Sequence, residues 1–271
     1  MNTCKKSKLI TLDLDGTLLN AEKSMSELNR KTLIAAQEKG HKVAIASGRP
    51  IMGCRDIADA LLLDRFDGYV ICFNGSEIVE WTSKNHIYDQ ILPEGIVQQI
   101  WQYAEENNLT MLIHDDIIIT SNKEHPRIQL SARRNSMEVI QPDDWRKELK
   151  NRKLHKCMFI GEPEEMPRLA KDMTLKFPEV NVIRSEPHFL EFVPKDIDKG
   201  TGLKTLAKHI NCNLKDVIAF GDALNDICML NIAGTGVAMG NAEDSVKAAA
   251  DIIAPSNTDD GVAKIINDLL L

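Results

Sequence analysis

No apolar run in this chain approaches the roughly 18 residues of a membrane-spanning helix. Lysines stand near the N-terminus, but the run after them, LITL, is short and ends in acids, unlike a secretory leader. Positive charge is in the minority: 33 Lys and Arg against 40 Asp and Glu leave a formal net charge of −7. That balance argues against a general binder of nucleic-acid phosphates, which carries a basic stripe. The six cysteines (Cys4, Cys54, Cys72, Cys157, Cys212, Cys228) include no closely spaced pair of the kind that holds zinc. They read as reduced, mostly buried thiols, since free cysteine packs as a small hydrophobe. There is no internal repeat and no low-complexity linker. The expected setting is the cytoplasm, with neither nucleic acid nor membrane as a partner.

What is present is enough apolar sequence for a large core. The 271 residues are 43% hydrophobic and exceed the usual ~100–200 residues of one domain. Short apolar runs recur with helical patterns between them: LITL at 9–12, VAIA at 43–46, YVICF at 69–73, VIAF at 217–220 and GVAM at 236–239. Such alternation predicts an α/β fold, a Rossmann-like parallel sheet covered by helices. Ser26 is placed to cap a helix through SELNRKTLIAAQEKG, and Gly40 to end it. The alternation breaks in the middle of the chain. There TMLIH and DIIITS, then VNVIRS and HFLEFV, read as neighbouring strands among helices, an α+β rhythm. The simplest topology is a discontinuous core, residues 1–84 and 191–271, with an α+β domain inserted over 85–190.

Three core strands end alike: LITL in Asp13, VAIA in Ser47 and Gly48, VIAF in Gly221 and Asp222. Ligands of open α/β sheets bind outside the carboxyl ends of the strands, so these residues are expected to converge. Asp13, Asp15 and Asp222 together place up to three negative charges in one crevice, which would raise their pKa values or demand a cation; for a cation, Mg²⁺ with oxygen ligands fits best. Hydroxyls at Thr17 and Ser47, the amine of Lys199, Asn225, and glycines at 16, 48 and 221 complete a set suited to phosphoryl chemistry. Asp13 can attack phosphorus to form an aspartyl-phosphate, and Asp15 can serve as general acid and then base. Transfer to water, transfer to a second hydroxyl, and a receiver-like phospho-switch all remain compatible with this set.

The motifs resemble those of the haloacid dehalogenase superfamily of phosphatases, more narrowly its Cof-type group with a class IIB cap. DLDGT (Asp13, Asp15, Gly16, Thr17) matches motif one and IASGRP (Ser47, Gly48, Arg49) motif two. DIDKGTGL with Lys199 matches motif three and GDALND (Asp222, Asn225, Asp226) motif four; CFNGSEI, VAMGNA and DDGVAKII are weaker matches. The resemblance implies that Asp13, Asp15 through its backbone carbonyl, and Asp222 hold Mg²⁺. It further implies that Ser47 and Lys199 bind the phosphoryl group with the Leu14 and Gly48 amides and Asn225 nearby, and that Asp226 supports the metal from behind. The inserted cap would close over the crevice and choose the leaving group of a small phosphorylated metabolite, such as a sugar phosphate or cofactor. Leu224 stands where relatives often have an acid, and Ser47 where many have threonine. Elsewhere, His114, Asp115 and Asp116 read as a hairpin turn, Arg133 and Arg134 as a solvated helix face, and the three tryptophans as packing residues.

Overall fold

The computed structural model describes residues 7–271, so Cys4 lies outside the described residues. It divides into two compact units, one running to Asp89 and resuming over Asp198–Leu271, the other Gln90–Ile197. In chain order the first unit begins β1 (Leu9–Leu12), α1 (Glu27–Glu38), β2 (Lys42–Ala46), α2 (Ile51–Ala60), β3 (Tyr69–Cys72), β4 (Glu77–Glu80) and β5 (His86–Asp89). The second unit holds α3 (Ile96–Glu106), β6 (Thr110–His114), β7 (Ile118–Thr120), α4 (Pro126–Asn135), β8 (Val139–Ile140), α5 (Trp145–Glu148), β9 (Cys157–Ile160), α6 (Met166–Lys176), β10 (Val180–Glu186) and β11 (Phe189–Pro194). The first unit then closes with α7 (Lys199–His209), β12 (Val217–Gly221), α8 (Ile227–Ile232), β13 (Thr235–Ala238), α9 (Asp244–Lys247), β14 (Ile252–Ile253) and α10 (Gly261–Leu270). No helix among the described residues is long and apolar enough to cross a membrane.

The first unit is built on one eight-stranded sheet, ordered β14-β13-β12-β1-β2-β3-β4-β5. It is parallel from β14 to β3, as the alternating pattern predicts, and antiparallel where β4 and β5 return as a hairpin beside β3. The apolar runs are continuous rather than alternating because both faces are covered. Ile10 and Leu12 point into one cluster with Leu33, Val43, Ile45 and Phe220, whereas Leu9 joins Ala44, Ile71, Leu203 and Ala219 on the other side. Ser26 caps α1 by accepting from the Asn29 amide, and Gly40 follows the helix end at φ +89°. Register sets the site: Leu12 lies opposite both Phe220 and Ile45, so Asp13, Gly221 and Ala46 end three neighbouring strands at one level.

The second unit carries a six-stranded sheet, β10-β11-β9-β6-β7-β8, antiparallel except where β7 meets β8. Its core is its own: Trp101, Ile113, Phe159, Phe177 and Phe192 are buried together, and Trp101 stacks on Trp145 with ring centroids 5.4 Å apart. The units divide at 89/90 and 197/198, beyond the expected 84/85 and 190/191. The reason is local. β5 is tied into the first sheet through β4, which carries that unit on to Asp89, and β11 continues the second sheet through Pro194.

Candidate active site

The carboxyl end of β1 delivers Asp13 into a nearly closed environment, 6% exposed. Facing it is Lys199, the first residue of α7, whose N-terminus is fixed by Asp198: its carboxylate accepts from the Thr201 amide, and the Thr201 hydroxyl lies against the Asp198 backbone. This capping box fixes the backbone at the start of α7, from which the Lys199 side chain runs inward. Its Nζ, 1% exposed as a residue, donates to Asp13 Oδ1 at 2.6 Å and to Asp226 Oδ1 at 2.7 Å. The other Asp226 oxygen accepts from the amides of Asp222 and Ala223, both at 3.0 Å, and so shapes the turn after β12. Asp222 is held in turn by the Thr17 hydroxyl, which donates to its Oδ1 at 2.7 Å. Gly16 makes this approach possible: at φ +92° it takes a left-handed conformation, and a Cβ there would stand 2.3 Å from Asp222 Oδ2.

Carboxylate oxygens of Asp13, Asp222 and Asp226 lie within 4.8 Å of one another. Three carboxylates and one ammonium in a buried space leave an excess of negative charge. Burial, with the charges of Asp226 and Asp222, pushes Asp13 up to about 8 against the pull of Lys199. Asp222 is also raised, chiefly by burial, and Lys199 is raised by its two acidic partners. A hard divalent cation with oxygen ligands relieves this excess, so the donor set fits Mg²⁺.

Ser47 follows β2 and is 2% exposed; its Oγ accepts from the Arg49 amide at 3.2 Å. Gly48 packs so closely on Asn74 that an added Cβ would lie 3.1 Å from its Oδ1. Leu14 is buried between the two aspartates. Asn225 is exposed, and its Nδ2 donates to Asn74 Oδ1 at 3.1 Å. Asn74 thus joins the second and fourth motif loops, with its amide donating to the Ser47 carbonyl at 3.0 Å. The segment carrying it is strained: Phe73, Asn74 and Gly75 have φ of +48°, +57° and +111°. Sequence reasoning gave Asn74 only a supporting place; the signal available was the Asn-Gly pair after an apolar strand.

Asp15 takes a different position from Asp13. Its carboxylate does not join the cluster; Arg49 Nε and Nη2 donate to its two oxygens at 2.7 Å each, and Lys23 Nζ lies 2.7 Å from Oδ1. Burial opposes its charge, but the hydrogen bonds and charge of Arg49, joined by Lys23, hold it down at about 2. Neither cation was singled out from the sequence for this contact. The other polar candidates lie within the second unit. His114 ends β6 and shares a hydrogen bond with Ser131 at 2.8 Å; burial and Lys156 push it down to about 3. Asp115 turns the chain into β7, and Arg133 and Arg134 are exposed.

The family profile of haloacid dehalogenase-like hydrolases matches residues 10–266. The chain is 35% identical over 265 residues to the 5-amino-6-(5-phospho-D-ribitylamino)uracil phosphatase YcsE of Bacillus subtilis, covering 97% of this chain and 96% of that one. A solved haloacid dehalogenase-like hydrolase from Bacteroides thetaiotaomicron is 40% identical, with a TM-score of 0.94 over 98% of this chain and all of its own. A sugar phosphatase of subclass IIB is 27% identical with a TM-score of 0.79, covering 97% of this chain and 98% of its own.

Proposed function

The chain belongs to the haloacid dehalogenase-like hydrolase family and is a phosphatase; we propose that it hydrolyses small phosphomonoesters with Mg²⁺ through an aspartyl-phosphate on Asp13. The observation that carries this reading is the buried contact of Lys199 with Asp13 and Asp226 beside Asp222, at the level where three parallel strands end. Asp13, Asp222 and the backbone carbonyl of Asp15 would hold the metal, with Asp226 fixing the Asp222 turn. When bound, Mg²⁺ neutralises the acidic cluster and offsets charge on the transferring phosphoryl oxygens.

The residues then divide the work. Lys199, the Ser47 hydroxyl, the Leu14 and Gly48 amides and Asn225 hold the phosphoryl oxygens. Asp13 attacks phosphorus as the bond to the leaving oxygen breaks, and Asp15, which Arg49 and Lys23 hold ionised and which must therefore first take up a proton from solvent, gives that proton to the leaving oxygen. Asp15 then takes a proton from the water that attacks the aspartyl-phosphate, releasing inorganic phosphate and restoring Asp13. Small phosphorylated metabolites, sugar phosphates or phosphorylated cofactors, are the proposed substrates; the ribitylaminouracil phosphatase and the sugar phosphatase among the similar proteins support that class.

The test is phosphate release from a panel of sugar phosphates, nucleotides and phosphorylated vitamins, with Mg²⁺ and with chelator, in wild type and Asp13→Asn. Metal-dependent release that falls by more than ~10³-fold in the variant is the expected result, since a nucleophile and its charge are both lost. Turnover retained in Asp13→Asn refutes the covalent route.

A further inference from the structure

Lys23 sits in an unlikely place for a lysine. It has φ +59°, in the left-handed region, at the tip of a turn between Leu19 and Met25, which pair across it as an antiparallel bridge. A non-glycine residue held there is strained and persists only where its surroundings dictate it. Here they do. The Asn20 side chain accepts from both the amide and the hydroxyl of Ser24, the Asn20 amide donates to the Ser24 carbonyl, and the Lys23 amide donates to the Asn20 carbonyl. The turn's own base is tied down as well, because Asn257 Nδ2 donates to the Leu19 carbonyl at 2.8 Å. This tied, strained turn aims one flexible cation at one oxygen, Asp15 Oδ1.

The two cations on Asp15 are unequal. Arg49 is anchored: it grips both carboxylate oxygens, and its Nη1 also donates to the Gly53 carbonyl at 3.0 Å. Lys23 makes a single contact, and its side chain is 40% exposed against 14% for Arg49. A carboxyl group that must reach a leaving oxygen and later a water has to release part of its grip, and the exposed single contact is the one that yields at least cost.

We propose that Lys23 is a positioning residue for Asp15: the turn at residues 20–24 and Arg49 hold the carboxylate from two sides, and exchange of the Lys23 contact sets where Asp15 stands during proton transfer. The inference rests on the reading of Asp15 as the general acid and base.

The experiment compares kcat/KM for an alkyl phosphate, whose leaving oxygen needs a proton, with that for p-nitrophenyl phosphate, whose leaving oxygen departs without one. Both are measured in wild type, Asp15→Asn, Lys23→Met and Lys23→Arg, each with Mg²⁺ and with its melting temperature recorded. If Asp15 is the acid, Asp15→Asn loses far more with the alkyl ester than with the aryl ester; equal losses sink that reading itself. Given that result, Lys23→Met is expected to lose ~10-fold in kcat/KM with the alkyl ester and under twofold with the aryl ester, and Lys23→Arg to regain most of the loss. Lys23→Met in the Asp15→Asn background should add nothing. Equal losses on both esters make Lys23 a plain contributor of charge and overturn the positioning role, as does an unchanged alkyl rate.

Discussion

Asp13 is the residue at which charge, burial and chemistry meet. Its folded carboxyl stands at about 8, raised by burial and neighbouring acids, whereas an unfolded aspartate titrates near ~3.9. Between those values the folded protein keeps a proton that the unfolded chain has lost, so stability falls as pH rises through that window. Asp15 works in the opposite sense: held down at about 2 by its cations, it adds stability above ~4 that disappears as pH falls toward 2. The metal-free protein is therefore expected to melt at progressively lower temperature from pH 5 to pH 8. Asp13→Asn should flatten that decline, and Mg²⁺ at pH 8 should raise the melting temperature more in wild type than in the variant. Melts in chelator across the pH range check this, and a flat wild-type profile contradicts it. DLDGT and GDALND made the acids legible in the sequence. The partition between them was not legible, because Arg49 and Lys23 reach Asp15 through side-chain directions that no spacing records.

At the scale of elements, the loop after β3 concentrates the strain. Gly75 has φ +111°, and a Cβ there would lie 2.4 Å from the Asp198 carbonyl, the residue that caps α7 and so fixes Lys199. Gly75→Ala is expected to destabilise by about 2–4 kcal/mol, from the left-handed backbone and the collision together. Because the displaced cap carries Lys199, turnover should drop even below the melting transition; denaturant unfolding and kinetics on the same sample test both. The long apolar runs of β1, β2 and β12 were readable since strands covered on both faces have no polar alternation. The β4–β5 hairpin was not: its turn, around Thr82–Lys84, lacks the Asn-Gly or Asp-Gly pair that marks a tight hairpin, and Lys84 supplies the left-handed residue instead. β8 and β14 are two residues each, too short to show any period.

For the molecule as a whole, the chain leaves the first unit after Asp89 and re-enters it at Asp198. The second unit has a complete aromatic core and a sheet whose pairs all lie within it. We expect a fragment of residues 90–197 to fold alone, with cooperative thermal unfolding and native-like near-ultraviolet dichroism from Trp101 and Trp145; a molten fragment contradicts this. The α+β break in the sequence pointed to an insertion, whose edges in the structure lie a few residues later because β5 (HIYD) pairs into the first sheet and β11 runs on to Pro194 in the second. The central strand β1 pairs on one side with β12, which is made only after the whole second unit. On the ribosome, then, β1 waits without one of its two neighbours while the inserted unit is completed. Asp13 can meet Lys199 only after the inserted unit has been made, so a nascent chain stopped there carries a finished middle and an unassembled reaction centre. Catalytic competence therefore waits on the inserted unit that separates the two halves of the reaction centre.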